Sequence, residues 1–320
     1  MTQWQPAASL AVIRQRAQLY ARIRAFFAAR GVLEVDTPVL SQAAVSDPHL
    51  APMSTSFEGP GVAQPRPLFL QTSPEYPMKR LLAAGSGPIY QLAKAFRNGE
   101  AGGRHNPEFC MLEWYRPGFD EHQLMDEVAD LVGEVLARDD FVRLSYRQAF
   151  ERFVGLDPHE ASLATLQGCA RERLDLELES DNRDTWLNLL LSHLVEPELR
   201  APTFIFDFPA SQAALARVHP DERGTRVARR FELYTDGVEL ANGYFELTDS
   251  AEQTRRFNAD QQQRRALGVS PLPLDEHLLA ALAAGLPECA GVALGVDRLL
   301  MLASGCERIE QVLAFPFDRA

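Results

Sequence analysis

Apolar residues recur at helical spacing near the start of the chain. Leu10, Ile13, Ala17, Tyr20, Ile23 and Phe27 fall on one stripe, Ser9 precedes them as a cap, and Gly31 follows as a C′ residue. The pattern predicts a helix. VLEVDTPVL (32–40) is extended, and Pro38 limits it to an edge or a strand end. Residues 47–66 are rich in Pro, Ser and Gly and predict a loop. PLFLQTS (67–73) predicts a strand, and Pro74 opens a helix as its first residue. PIYQLAKAFRN and EFCMLEWYR predict two strands around the loop NGEAGGRHNP.

Residues 121–138 and about 160–195 predict helices, with about 140–200 an insertion in a single domain spanning 1–320. In FELYTDGVELANGYFEL, Asp236-Gly237 separates two apolar runs, a hairpin signal. GVALGV predicts a strand, after which Asp297 caps a last helix that Gly305 closes. Strands and helices do not alternate as βαβ units, so the fold class is α+β: an antiparallel sheet flanked by helices.

Alternation along the strands brings candidate chemistry together. Phe109, Met111, Glu113 and Tyr115 share one face of their strand, and Cys110, Leu112 and Trp114 share the other. The second set is core. The first is either a partly solvated face or a row of site residues. In a two-residue hairpin Tyr234 pairs with Glu239 and Glu232 with Ala241, which makes Glu232 and Glu239 diagonal neighbours. Two unpaired carboxylates so placed repel unless a cation lies between them, and Mg²⁺ carrying nucleotide phosphates suits them. The alternative is a solvated acidic patch. Asn242 and Glu246 have the opposite parity to Glu239 and need a bulge to reach the same face, with Gly243 the candidate. Arg97, Arg104, His105 and Asn106 offer anion ligands in the glycine-containing loop, a weak signal alone. GVALGVDR reads either as a packing device or as a site wall with Arg298 opening the helix.

Composition narrows the class. Apolar residues form 46% and charged residues 24% of the 320 positions, which predicts a globular rather than a disordered chain. No apolar run approaches the roughly 18 residues that span a bilayer, and MTQWQPAASL is no secretory signal. Cys110, Cys169, Cys289 and Cys306 are widely spaced without a CxxC pair, so a reducing cytoplasm and no membrane partner are expected. The net charge of −12 gives no support to a large nucleic-acid interface.

Taken in order, these segments resemble one family. FRNGEAGGRHNPEFCMLEWYR resembles the second signature motif of class II aminoacyl-tRNA synthetases in its lysyl form. GVALGVDRLLML resembles the third, and GVLEVDTPVL the first, which in that family builds the dimer interface. FELYTDGVELANGYFEL is similar to the lysyl-specific segment between the second and third, and the resemblance runs from about Leu10 to Phe317. Lysyl-tRNA synthetases carry an anticodon-binding barrel ahead of the first motif, whereas here that motif begins by residue 31. The chain therefore resembles the stand-alone relatives, the elongation factor P–(R)-β-lysine ligase family, as FPASQAALA (208–216) and MLEWYRP (111–117) also do.

The resemblance implies an ATP-dependent, AMP- and pyrophosphate-forming ligase with Mg²⁺. It would activate (R)-β-lysine as an acyl-adenylate, transfer it to a lysine amine of elongation factor P, form a homodimer and charge no tRNA. Alternatives are a tRNA-charging lysyl synthetase and an inactive regulatory paralogue. Arg97 and Arg298 match the catalytic arginines, Arg97 holding the substrate carboxylate and the α-phosphate. Phe109 and Arg298 match the two sides of the adenine site. Asn98, Gly99, Glu100, His105, Asn106, Glu239, Leu240 and Gly295 match further ATP positions. Glu232 and Glu239 match the metal carboxylates. Ser73, Pro74 and Glu75 match the amino-acid side, Glu75 taking the backbone amine, while Glu113, Tyr115 and Glu246 match the cradle of the distal ammonium. Asn242 matches a carboxylate contact, and Ala293 stands where lysyl-tRNA synthetases have Gly. The family's second motif has Glu two residues after the Arg; here that position is Gly99, and the Glu is Glu100.

Overall fold

A computed structural model describes residues 4–60, 64–175 and 178–320. In chain order the elements are α1 (Leu10–Ala29), β1 (Leu33–Glu34), β2 (Leu40–Ser41), β3 (Ser54–Phe57), β4 (Arg66–Leu70), α2 (Glu75–Ala83), β5 (Ile89–Phe96) and β6 (Glu108–Pro117). There follow α3 (Glu121–Leu136), β7 (Val142–Ser145), α4 (Tyr146–Phe153), α5 (Leu163–Arg173), α6 (Arg183–Leu190), β8 (Thr203–Pro209), β9 (Val218–Pro220), β10 (Arg226–Thr235) and β11 (Val238–Phe245). The last are α7 (Ser250–Ala266), α8 (Glu276–Gly285), β12 (Cys289–Gly295) and α9 (Val296–Ser304). The residues group into two units, Met1–Phe119 with Leu247–Ala320, and Asp120–Glu246. The α+β reading holds in each.

In the first unit β1, β5, β6 and β12 lie side by side, antiparallel except for the parallel β1–β5 pair, and β2, β4 and β3 form a small antiparallel sheet. The Ser9 hydroxyl caps α1 by accepting from the Val12 N–H. The buried side of α1 is Leu19, Ile23, Phe26 and Phe27, whereas Leu10 is exposed and Ala17 lies on the outer side. Phe27 stacks on Tyr90 of β5 at 4.3 Å and meets Trp114 of β6 edge-on at 5.4 Å, which seats the helix on the sheet. The short β3 interrupts the expected loop over 47–66; its STSF is wholly exposed and carries no apolar alternation. Pro74 is the residue before α2 rather than its first.

In the second unit β11, β10, β8 and β7 are neighbours, with β9 on β10; only β7–β8 is parallel. Helices α5 and α6 fall in the stretch expected to be helical, with residues 178–182 non-helical before α6, and α4 precedes it; α6 runs on into a short π-turn at Leu191–Val195. Their core gathers Tyr146, Phe150, Trp186, Leu187 and Leu190 against Phe208 of β8. Asp207 sits mid-strand with φ +58, opposite the register shift between Ala228 and Phe231.

Candidate active site

Strand β6 pairs with β5 and β12, so Glu113 faces Gln91 on one side and Ala293 on the other. The Tyr115 hydroxyl donates to Glu113 Oε1 at 2.6 Å, which places both on one face as alternation requires. Both are 2% exposed, so the face is buried, not a solvated sheet surface. Gln91 accepts from the Thr37 hydroxyl at 3.0 Å, adding a polar layer behind it. A carboxylate and a phenol at this depth suit a desolvated cation that needs several acceptors.

Arg97 follows β5, and its guanidinium lies 5.1 Å from the Phe109 ring centroid and 3.7 Å from the Glu100 carboxylate. Gly99 has φ +82, a turn that strains other residues and returns Glu100 toward Arg97. Glu100, one residue past the family's usual position, is thus the carboxylate beside Arg97. Arg97 Nε is buried without a hydrogen-bond partner among the described residues, so a phosphate or carboxylate oxygen would complete it. Asn98 and Gly99 are exposed. In the loop, His105 Nε2 is 2.8 Å from Arg298 Nη2, which ties the loop to the start of α9. Asn106 accepts from Phe317 N–H at 3.0 Å and donates to the Glu108 carbonyl at 2.5 Å, so both ends of its amide serve the backbone.

Gly295 caps α9, and a β-carbon there would touch the Arg298 side chain. Asp297 is not the cap that its position suggests. It lies one residue inside the helix, is 2% exposed, and accepts from Cys110 N–H and Arg16. Glu75 opens α2, and the buried Lys79 one turn later donates to its Oε1 at 2.6 Å, while Ser73 accepts from the Glu75 N–H. Helical spacing could have revealed Lys79.

The second unit carries the other carboxylates. The Asp236-Gly237 turn forms with both residues at positive φ, and Tyr234 pairs with Glu239 as expected. The register then shifts between Leu233 and Tyr234, so Glu232 pairs with Asn242, not with Ala241. Leu240 is the extra residue, not Gly243. The shift reverses the parity after it and brings Asn242 to the face of Glu232 and Glu239. Gly243 instead makes room: it lies opposite Phe231, whose ring fills the space where a β-carbon would stand.

Glu232 is not the unpaired carboxylate that the hairpin alone suggests. It is buried and accepts hydrogen bonds from Arg230, from the Tyr234 hydroxyl and, at 3.0 Å, from the Asn242 amide. Arg230 is the neighbour that the hairpin pattern leaves out, although it lies two residues earlier on the same face. Burial pushes the Glu232 carboxyl above the usual range and the Glu239 charge adds to this, while Arg230 opposes it. Glu239 is half-buried. Asn242 Oδ1 has no hydrogen-bond partner among the described residues. Glu246 is 1% exposed, and its backbone bridges to Ala216.

An antiparallel sheet bearing an arginine and phenylalanine around one hairpin loop, and a glycine-ended strand that delivers a second arginine, defines the catalytic fold of class II synthetases. The chain belongs to the class II tRNA synthetases (D, K and N), whose family pattern matches residues 3–319. Within that family it is 57% identical over 322 residues to elongation factor P–(R)-β-lysine ligase of Proteus mirabilis (strain HI4320), covering 99% of this chain and 98% of the relative. It is 55% identical over 325 residues to the protein of that name from Edwardsiella ictaluri (strain 93-146), covering 100% and 99%. With that of Vibrio vulnificus (strain YJ016) it shares 56% over 322 residues, 99% of each chain. Among the described residues no helix is long and apolar enough to cross a membrane.

Proposed function

We propose that the protein is an ATP-dependent ligase that activates (R)-β-lysine and transfers it to a lysine amine of elongation factor P. The observation that carries the reading is the 57% identity along 99% of the chain to a ligase of that name. The buried Glu113–Tyr115 pair supports it, because a long substrate with a terminal ammonium needs such a cradle.

Arg97 would bind the substrate carboxylate and the α-phosphate together. A carboxylate oxygen attacks the α-phosphorus, the bond to the β-phosphate oxygen breaks, and pyrophosphate leaves. Negative charge grows on the α-phosphate during attack, and a fixed guanidinium there stabilises it more than the ground state. No general base is required, since the nucleophile is already ionised. The acceptor amine then attacks the acyl carbon, AMP leaves, and the amine proton goes to solvent. Phe109 and Arg298 would flank the adenine, the arginine adding a cation–π contact. Glu75 would take the β-amine, and Glu113, Tyr115 and Glu246 the distal ammonium. Asn242 would contact the carboxylate.

Mg²⁺ suits the donor set of the hairpin. A carboxylate offers about four lone-pair directions; three donors already occupy those of Glu232. Glu239 would therefore be the main protein ligand, with Glu232 beside it. Among the described residues no group of three or more His, Cys, Asp or Glu is placed to hold a metal. One or two carboxylates plus phosphates and water are the ordinary Mg²⁺ arrangement. When bound, the ion would neutralise phosphate charge. Exposed Leu33, Val39 and Leu40, at 56%, 37% and 45%, supply an apolar surface on the first motif for a homodimer. The four free cysteines suit the reducing cytoplasm.

Purified elongation factor P, ATP–Mg²⁺ and either lysine isomer are incubated with the protein, and the acceptor is examined by mass spectrometry. A β-lysyl adduct on one lysine is expected. An unmodified acceptor alongside efficient charging of tRNA would overturn the reading.

A further inference from the structure

Strand β12 ends at Gly295, opposite Met111, so the ladder between β12 and β6 stops one residue short of Cys110. The Cys110 N–H is taken instead by Asp297 Oδ2, at 2.7 Å, from the first turn of α9. The other oxygen of Asp297 accepts from Arg16 Nη2 of α1 at 2.6 Å, and the same nitrogen donates to the Val312 carbonyl at 2.7 Å. Asp297 is 2% exposed, so it is a desolvated carboxylate held by one backbone and one cationic donor. Its neighbours matter more than its own burial. Cys110 adjoins Phe109, and Asp297 adjoins Arg298. The carboxylate, itself part of α9, thus ties the segment of Arg298 to that of Phe109 through its one hydrogen bond from the Cys110 N–H. A buried group that fixes two site residues through a defined hydrogen bond sets their separation.

We infer that Asp297, braced by Arg16, is a positioning residue for nucleotide binding: it holds the Phe109 and Arg298 segments at the spacing an adenine ring needs. The inference rests on the reading of Phe109 and Arg298 as that site. Asp297 touches no substrate; it acts by tying β6 to α9. Arg16 orients the carboxylate, and through the Val312 carbonyl it fastens the C-terminal segment to the same point. Cys110 gives its backbone N–H to Asp297, while its sulfur accepts from the Tyr20 hydroxyl at 3.3 Å, which in turn accepts from Arg16 at 3.2 Å. Burial and the Asp297 charge push the Cys110 thiol up, which keeps it protonated and unreactive.

The test is ATP binding by the full chain, measured by titration calorimetry in the absence of amino acid, beside binding of (R)-β-lysine. Asp297→Asn keeps an acceptor and the side-chain volume but removes the charge that Arg16 meets. It should weaken ATP binding about tenfold or more and leave β-lysine within about twofold. Arg16→Gln should weaken ATP in the same direction, and Arg16→Lys should recover part of the loss. If Asp297→Asn does not fold, the two Arg16 variants carry the comparison. Wild-type ATP affinity in the folded variants would overturn the inference, as would equal weakening toward ATP and β-lysine. A wild-type protein that binds no ATP would instead overturn the functional reading beneath it.

Discussion

Replacing Arg230 by Met tests how the second unit holds its buried carboxylate. The side chains of Arg230 and Glu232 are 17% and 7% exposed and directly paired. Breaking a buried pair from one side typically costs about 3–5 kcal/mol, mainly by leaving the other charge unmet. Tyr234 and Asn242 still donate to Glu232, which softens the loss to about 2–4 kcal/mol. Urea unfolding followed by tryptophan fluorescence reads it. Trp186 lies in the same unit and is buried, which gives a local signal. Adding Glu232→Gln removes the stranded charge and should recover at least half of the loss. The pH dependence has a defined sign. The Glu232 carboxyl is raised in the folded protein, so the folded state binds the proton more tightly than the unfolded chain. That preference stabilises below the ordinary carboxylate value and is lost as pH rises through the folded value. Removing Arg230 raises it further, so the deficit of the variant should shrink from pH 8 toward pH 5. A double variant whose loss equals the sum of both single losses, with a deficit that does not change with pH, would refute the reasoning.

Arg97→Ala should abolish ATP–pyrophosphate exchange with β-lysine while circular dichroism stays native; retained exchange would remove Arg97 from the chemistry. Ala293 pairs with Glu113 of the proposed cradle, so Ala293→Gly should raise kcat/KM for α-lysine relative to β-lysine. One methyl group is worth roughly ten- to two-hundred-fold, and an unchanged ratio would make Ala293 a packing residue. Gly243→Ala sets a methyl against the Phe231 ring and should cost about 1–3 kcal/mol in urea unfolding. A neutral result would mean that the ring moves freely. Leu40→Asp should shift the mass found by light scattering from two chains to one; an unchanged dimer would place the interface elsewhere.

Alternation and punctuation made much of this legible. The faces of β6, the Asp236-Gly237 turn and the span of α1 all follow from periods of 2 and 3.6 and from Gly and Ser at their ends. The need for a bulge between Glu239 and Asn242 was legible too, because parity demanded it. Its position was not, since Leu240 has no local mark of a bulge and is chosen by packing, whereas Gly243 has the mark and serves Phe231. Long-range polar contacts were hidden for the same reason. Nothing near Asp297 in sequence announces Cys110 or Arg16, so its closest local role, helix capping, was the one it suggested.

The Glu75–Lys79 pair makes the start of α2, the proposed amine end of the pocket, stiff before anything arrives. Two largely buried side chains one helical turn apart hold each other, so Glu75 has lost its rotational freedom during folding rather than during binding. On the proposed reading, an incoming amine meets a receptor whose reach is already set, and one oxygen is already engaged by an ammonium of the protein's own. Recognition then depends on distance more than on charge. A floppy carboxylate would follow an amine on either carbon of the substrate, whereas a braced one favours the carbon at which the distance is right.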